Sequence, residues 1–265
     1  IELYTAFEEE PSEQTRAAFR ELVRSRAEGV PVAYLVGYKE FYSMTFEVNP
    51  SVLIPRPETE HLVVEALDRA KLLLKELPPP EQDQSLSGYL KLADVGTGSG
   101  AIAIAILKHF PRCQCSAVDI NPAALEVARR NAQRHGLDQD RLTFVEGDLL
   151  DWCPKDQLFD LIVSNPPYVS PEEYESLPRT VRDFEPRQAL ISEPEGGSVI
   201  ARLILQAGQH VRPGGYLLFE FSPMLENRLA ELISPAGAWS ETAITKDYSG
   251  NARVVTLKRL EGSLP

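Results

Sequence analysis

The chain has 265 residues, 43% of them hydrophobic and 25% charged, a globular composition that excludes wholesale disorder. Its 27 Lys and Arg against 39 Asp and Glu give a formal net charge of −12, so no global positive field draws it onto nucleic acid or an anionic membrane. The 3 cysteines and 4 histidines show no metal-ligand spacing, which argues against a disulfide framework and a zinc site and leads us to expect buried free thiols, a reducing compartment and no metal.

Taken in chain order, Ser12 to Glu28 reads as an amphipathic helix, capped by Ser12 and stopped by Gly29 and Pro31, with Ala18, Phe19, Leu22 and Val23 on a face that something should cover. Phe41–Val48 and Ser51–Ile54 mix aromatic and β-branched residues and are expected to pair as a small hairpin. A helix over Glu58–Leu77 follows, and the prolines from Pro78 and the polar run to Gly88 predict a surface loop. From Tyr89 onward, short apolar runs alternate with helical stretches, the pattern of parallel strands joined by crossover helices.

The expected strands are Leu90–Asp94, Gln114–Asp119, Leu142–Glu146, Leu158–Ser164 and Tyr216–Phe221, with helices at Ala101–His109, Pro122–His135, Gly197–His210 and Met224–Ile233. Trp239–Thr245 and Ala252–Lys258 flank a Ser249-Gly250-Asn251 turn and should form an antiparallel hairpin. The fold class is therefore α/β. Three parts are expected: an N-terminal helical segment over 1–37, a β-hairpin connector over 38–57, and the main domain over 58–265. No apolar run approaches the ~20 residues that cross a bilayer, and the acidic start, Ile1 to Glu10, is unlike a signal peptide. Because the first residue is not Met, removal of an upstream segment is expected.

Asp94-Val95-Gly96-Thr97-Gly98-Ser99-Gly100 lies between a strand and a helix, where glycines permit positive φ and let a ligand press against bare backbone. Asp119 ends the next strand, where a carboxylate can accept hydrogen bonds from ribose hydroxyls. Together they predict a nucleoside-containing ligand, and the DxGxGxG spacing leans away from NAD and towards S-adenosyl-L-methionine. Asp148, after the third strand, reads equally as an acceptor for an adenine amino group, with Leu149 packed on the ring, or as a strand-end cap.

Asn165-Pro166-Pro167-Tyr168 follows an apolar strand, at the carboxyl end of the sheet beside the expected ligand. Its chemistry fits a planar NH₂ group, whose delocalised lone pair makes it a weak nucleophile. Methyl transfer to such a nitrogen needs both N–H bonds held, and the Asn165 side-chain oxygen and the Pro166 carbonyl are the expected acceptors, with Tyr168 as a stacking face. Arg56 stands between Pro55 and Pro57, which pin its backbone and predict a guanidinium aimed at substrate.

Five segments in order, PVAYLVGYKEF (Pro31–Phe41), IPRPETE (Ile54–Glu60), DVGTGSG (Asp94–Gly100), NPPY (Asn165–Tyr168) and RDFEP (Arg182–Pro186), resemble the HemK/PrmC family of N5-glutamine methyltransferases acting on peptide chain release factors. The resemblance runs from about Pro31 to Lys258. It implies a class I, Rossmann-like methyltransferase fold and transfer of a methyl group from S-adenosyl-L-methionine to the glutamine of a GGQ motif. It further implies that Gly96, Thr97, Gly98, Ser99, Gly100, Asp119, Asp148, Leu149 and Asn165 contact the cofactor, that Asn165, Pro166, Pro167 and Tyr168 hold the glutamine, and that IPRPETE lines the same cleft. A monomer in the bacterial cytoplasm, or in an organelle, is expected, with a release factor as partner and no nucleic acid as direct substrate. The alternative is an N-methyltransferase acting on an exocyclic amino group of a nucleic-acid base. Two departures stand out: the family's N-terminal helical domain is represented by only about thirty residues, and Glu220-Phe221-Ser222 replaces an expected Glu-Ile-Gly, a segment given no role.

Overall fold

In the computed structural model, which describes residues 10–77, 88–137 and 140–262, the Ser12 hydroxyl accepts from Thr15 N and caps α1 (Glu13–Glu28). Gly29, with φ of 109°, closes the helix in the left-handed region. No residue of α1 is buried, and Phe19 is 64% exposed, so the expected cover over its apolar face is not found among the described residues. A short α2 (Val32–Val36) leads into the first hairpin.

That hairpin differs from expectation. Its strands are β1 (Tyr38–Phe41) and β2 (Met44–Glu47), so the turn falls inside the run expected to be a single strand. Tyr42 and Ser43 both adopt positive φ (50° and 58°), the conformation of a two-residue hairpin turn, although neither is the glycine or asparagine that usually signals it. Ser51–Ile54 is not a strand: the Ile54 N–H donates to the Glu185 carboxylate rather than to a ladder. Phe41 and Phe46 bury the hairpin against the main core.

A 3₁₀ turn, Pro57–Thr59, opens α3 (Glu60–Leu74), which ends three residues short of the expected Leu77. Most of the loop expected after Pro78 lies outside the described residues.

The main sheet comprises β3 (Leu90–Val95), β4 (Cys113–Asp119), β5 (Leu142–Glu146), β6 (Phe159–Ser164), β7 (Val211–Glu220), β8 (Trp239–Lys246) and β9 (Ala252–Arg259), in the order β5-β4-β3-β6-β7-β9-β8. The first five in that order are mutually parallel, while β9 runs antiparallel to β7 and β8 antiparallel to β9. Side-chain alternation sorts the strands into two layers. Leu92, Leu161, Val163 and Leu218 face α3 and α4 (Ala101–His109), whereas Ala93, Val95, Ile162, Leu217 and Phe219 face α8 (Ser198–His210). On the first side α5 (Pro122–Arg134) also contributes, starting at the Asn121 cap with Pro122 in its first turn. Two short helices, α6 (Pro171–Ser176) and α7 (Arg179–Arg182), carry the chain from β6 towards α8.

The helix expected over Met224–Ile233 starts instead as a 3₁₀ segment, Pro223–Arg228, and becomes α9 only at Leu229–Ile233. Pro223 lacks an N–H, Ser222 caps Met224, and the Leu225 N–H bonds the Ser222 carbonyl three residues back, so the tighter turn takes up the free groups. The three cysteines are buried free thiols, and burial raises the pKa of each. Among the described residues no helix is long and apolar enough to cross a membrane.

Candidate active site

Strand order reverses at β3, whose neighbours are β4 on one side and β6 on the other, and a crevice at the carboxyl ends of such strands is the binding position of doubly wound sheets. Val95 and Ser164 are register partners, so the turns that follow β3 and β6 emerge side by side. Their edges are tied by the Ser164 hydroxyl, which donates to the Val95 carbonyl at 2.7 Å. A Cβ on Gly96 would lie 3.9 Å from the Asn165 carbonyl oxygen, which shows how closely the two expected motifs approach.

The glycine turn folds back on β4. Gly96 N and Thr97 N both donate to the Val118 carbonyl, and Gly96, Gly98 and Gly100 all have positive φ. Gly100 does not line the cleft; its role is packing, since a Cβ there would stand 3.0 Å from Ile104 and 3.2 Å from Ala128. Asn131, fully buried on α5, donates to the Ser99 and Glu47 carbonyls and accepts from Glu47 N, locking the turn to the first hairpin.

Asp119 accepts Gly98 N at 2.8 Å on one oxygen and Asn121 N at 2.9 Å on the other. Burial pushes its carboxyl above the usual range despite those N–H donors. Each oxygen has two lone pairs and so retains capacity for another donor. Asp94 lies deeper: one oxygen accepts from the Thr97 hydroxyl and Ala103 N, its Oδ1 has no partner among the described residues, and burial pushes its carboxyl up to about 7. Asp148 is engaged by the Arg202 guanidinium at 2.8 Å, and Leu149 beside it holds a positive φ of 53°.

A cleft of about 320 Å³ joins these groups, lined by Gly96, Thr97, Gly98, Ser99, Asp119, Asp148, Leu149, Asn165 and Pro167 among others. Pro55 and Thr59 of IPRPETE and Pro186 of RDFEP line it too, together with Ile120, Gln188 and Arg202, which the sequence reading did not single out. The position of Ile120, directly after the acidic strand end, was the available signal. Pro166 is buried and, like Tyr168, is not among the lining residues.

Two buried carboxylates, Glu185 and Glu220, tie the motifs around the cleft to one another. Arg56 is not among the residues that line the cleft, and its guanidinium pairs with Glu185, a carboxylate only 1% exposed that also accepts Ile54 N. The aim that the flanking prolines impose is thus towards RDFEP. Glu220, given no role, is a buried carboxylate beside the NPPY motif: it accepts from the Tyr168 hydroxyl at 3.0 Å and from the Thr59 hydroxyl at 2.6 Å, and Asn165 Nδ2 donates to that same Thr59 oxygen at 3.2 Å. Burial raises the pKa of Glu220, and it raises that of Tyr168 as well.

The chain matches the model of the Methyltransferase small domain over residues 64–182 and that of the PrmC N-terminal domain over residues 1–37. A release factor glutamine methyltransferase of Rhodopirellula baltica is 48% identical over 98% of this chain and 84% of its own length. Among solved structures, the T. thermophilus rRNA methyltransferase RsmC, in complex with AdoMet and guanosine, superposes with a TM-score of 0.54 at 18% identity over 84% of this chain and 49% of that one. The E. cuniculi Mtq2–Trm112 complex, responsible for methylation of the eRF1 translation termination factor, gives 0.51 at 21% identity over 80% of this chain and 99% of the matched chain. These two likenesses show the class I methyltransferase fold, and the sheet order and strand directions agree with it. With nearly half its residues identical to a relative along almost its whole length, the chain is an enzyme that belongs to the release factor glutamine methyltransferase family.

Proposed function

We propose that this enzyme methylates the side-chain amide nitrogen of the glutamine in the GGQ motif of a peptide chain release factor, using S-adenosyl-L-methionine. The observation that carries the reading is the juxtaposition of Asn165 with the Gly96 turn at the head of one cleft. The residues present fit the cofactor. Backbone of Gly96–Gly98 is bare on the cleft, Asp119 has acceptor capacity for ribose hydroxyls, and Ile120 and Leu149 offer apolar surface for a purine, with Asp148 at its edge. When bound, the cofactor supplies an electrophilic methyl group.

The protein's own residues do the rest. The Asn165 side-chain oxygen and the Pro166 carbonyl accept the two amide hydrogens, which fixes the nitrogen and keeps its lone pair directed at the methyl. Pro166 and Pro167 hold that backbone in place because neither can rotate φ freely. No strong base is needed, since the nitrogen acidifies as it gains the methyl and can release its proton late, to solvent or a weak acceptor. Substrate contact in this reading centres on Asn165–Tyr168. The bacterial relatives favour a bacterial release factor as partner.

The deciding experiment incubates the enzyme with labelled S-adenosyl-L-methionine and a purified release factor, followed by peptide mass mapping. The expected result is one methyl group on the glutamine. Efficient methylation of duplex DNA or RNA instead, with binding that falls steeply as salt rises, would overturn the choice of substrate.

A further inference from the structure

Resting on the reading above, we propose that Glu220 acts through Thr59 to determine which end of the Asn165 side-chain amide faces the substrate. An asparagine amide can present either a donor or an acceptor, and only the acceptor suits an incoming NH₂. Something must therefore set its direction.

The chain of hydrogen bonds does so by elimination. An ionised carboxylate only accepts, and both oxygens of Glu220 are occupied by donors, Oε1 by the Tyr168 hydroxyl and Oε2 by the Thr59 hydroxyl at 2.6 Å. Threonine has a single hydroxyl hydrogen. With it committed to Glu220, the Thr59 oxygen can only accept from its other neighbour, the Asn165 amide 3.2 Å away. The amide must offer Nδ2 to Thr59, and Oδ1 is left as the end available to the cleft that Asn165 lines. A donor facing Thr59 from position 220 would reverse the links beyond it: Thr59 would donate to Asn165, and the amide would turn its NH₂ towards the substrate's NH₂.

Keeping a carboxylate in a 1% exposed position is costly, and two hydroxyl donors are held there to receive it. Glu220 does not itself line the cleft and acts on Asn165 through Thr59, so it is a positioning residue and not a base. Thr59 is the adjustable joint.

Single-turnover methylation of a purified release factor, with cofactor affinity measured by calorimetry alongside, tests this. Thr59→Val should lower the rate by roughly 10- to 100-fold with cofactor affinity within about twofold of wild type, and Thr59→Ser should recover to within about threefold. Asn165→Asp should lose about 100-fold or more, because a carboxylate oxygen then faces a hydroxyl whose hydrogen is already given to Glu220. The decisive variant adds Glu220→Gln to Asn165→Asp. The new amide at 220 can donate to Thr59 while still accepting from Tyr168, which frees the Thr59 hydrogen for the new carboxylate, so the double variant should outpace Asn165→Asp by about tenfold or more. Residues that serve only packing would give losses that add. A wild-type enzyme that methylates the release factor while the double variant is no faster than Asn165→Asp overturns the relay alone; a wild-type enzyme that transfers no methyl to the release factor overturns the functional reading and the relay together. Should Thr59→Val fail to fold, the double-variant comparison decides unaided.

Discussion

The Tyr168 hydroxyl donates to Glu220 Oε1 across 3.0 Å, so the last residue of NPPY is tied to the buried carboxylate that ends β7. That hydrogen bond favours the ionised form of Glu220, as do the Thr59 hydroxyl and the positive charge of Arg253, while burial and the charge of Glu58 oppose it. Burial dominates and the carboxyl titrates above its ordinary value. Tyr168→Phe removes one stabiliser of the charge and should raise that pKa further. Since the relay needs the carboxylate, activity should fall on the acid side, and Tyr168→Phe should shift that fall to higher pH. A pH profile of the single-turnover rate checks it; an unmoved acid limb would separate Tyr168 from the control of Glu220.

Asp119 joins the glycine turn to the cleft, since the oxygens that would receive ribose hydroxyls also hold Gly98 N and Asn121 N. Asp119→Ala should therefore weaken cofactor binding both directly and by loosening the turn. Loss of charge-assisted hydrogen bonds worth about 1.5 to 3 kcal/mol corresponds to roughly 10- to 100-fold in affinity. Calorimetry with S-adenosyl-L-methionine reads this, and tight binding of NAD in its place would contradict the cofactor assignment.

Much of this site is legible in the sequence because its signals are local. The Gly96–Gly100 turn, Asp119 and Asn165 each sit at the end of a strand that its own apolar run reveals, and parallel topology then brings those ends together without further information. What stays hidden is pairing across distance. Thr59 and Glu220 are 161 residues apart, Arg56 and Glu185 129, and no periodicity links such pairs. Glu220 ends a strand in a hydrophobic run and gives no local sign that Tyr168 and Thr59 converge on it. The first hairpin was misplaced for a different reason: Tyr42 and Ser43 take left-handed conformations that their residue types seldom signal.

Asp94 makes the folded state sensitive to pH. Its folded carboxyl titrates near 7 against an ordinary value of 3.8, because burial penalises the charge more than Thr97 and Ala103 favour it. A group with a raised folded pKa binds its proton more tightly in the folded chain, so its stabilisation is complete below the unfolded value and is lost as pH rises through about 7. Stability should fall by up to about 4 kcal/mol between pH 4 and 7 on this account and then level off. Asp94→Asn keeps an acceptor for Thr97 and Ala103 and removes the titration, so its melting temperature should lose most of that slope. Equal slopes in thermal melts of the two proteins across that range would refute the assignment to Asp94.

Arg56 and Glu185 join two segments flanking the cleft, and their pairing makes a prediction that separates structure from substrate contact. Glu185 is almost fully buried, with Ile54 N as a further donor, while the Arg56 side chain keeps 31% of its exposure. Removing one partner of a buried pair costs about 3 to 5 kcal/mol, and the partial exposure of Arg56 lowers the expectation for Arg56→Met to roughly 2 to 3 kcal/mol. For a chain of this size that corresponds to a melting temperature lower by about 5 to 10 °C. Glu185→Gln removes the buried charge and keeps an acceptor for Ile54 N, so it should cost less than Arg56→Met. Combining the two should recover most of the lost stability, because no unpaired charge then remains buried. If Arg56 instead gripped the release factor, Arg56→Met would raise KM for that substrate at unchanged melting temperature, and Glu185→Gln would restore nothing. Thermal melts of the three variants beside their KM values for the release factor therefore decide whether this guanidinium holds the cleft together or reaches out of it.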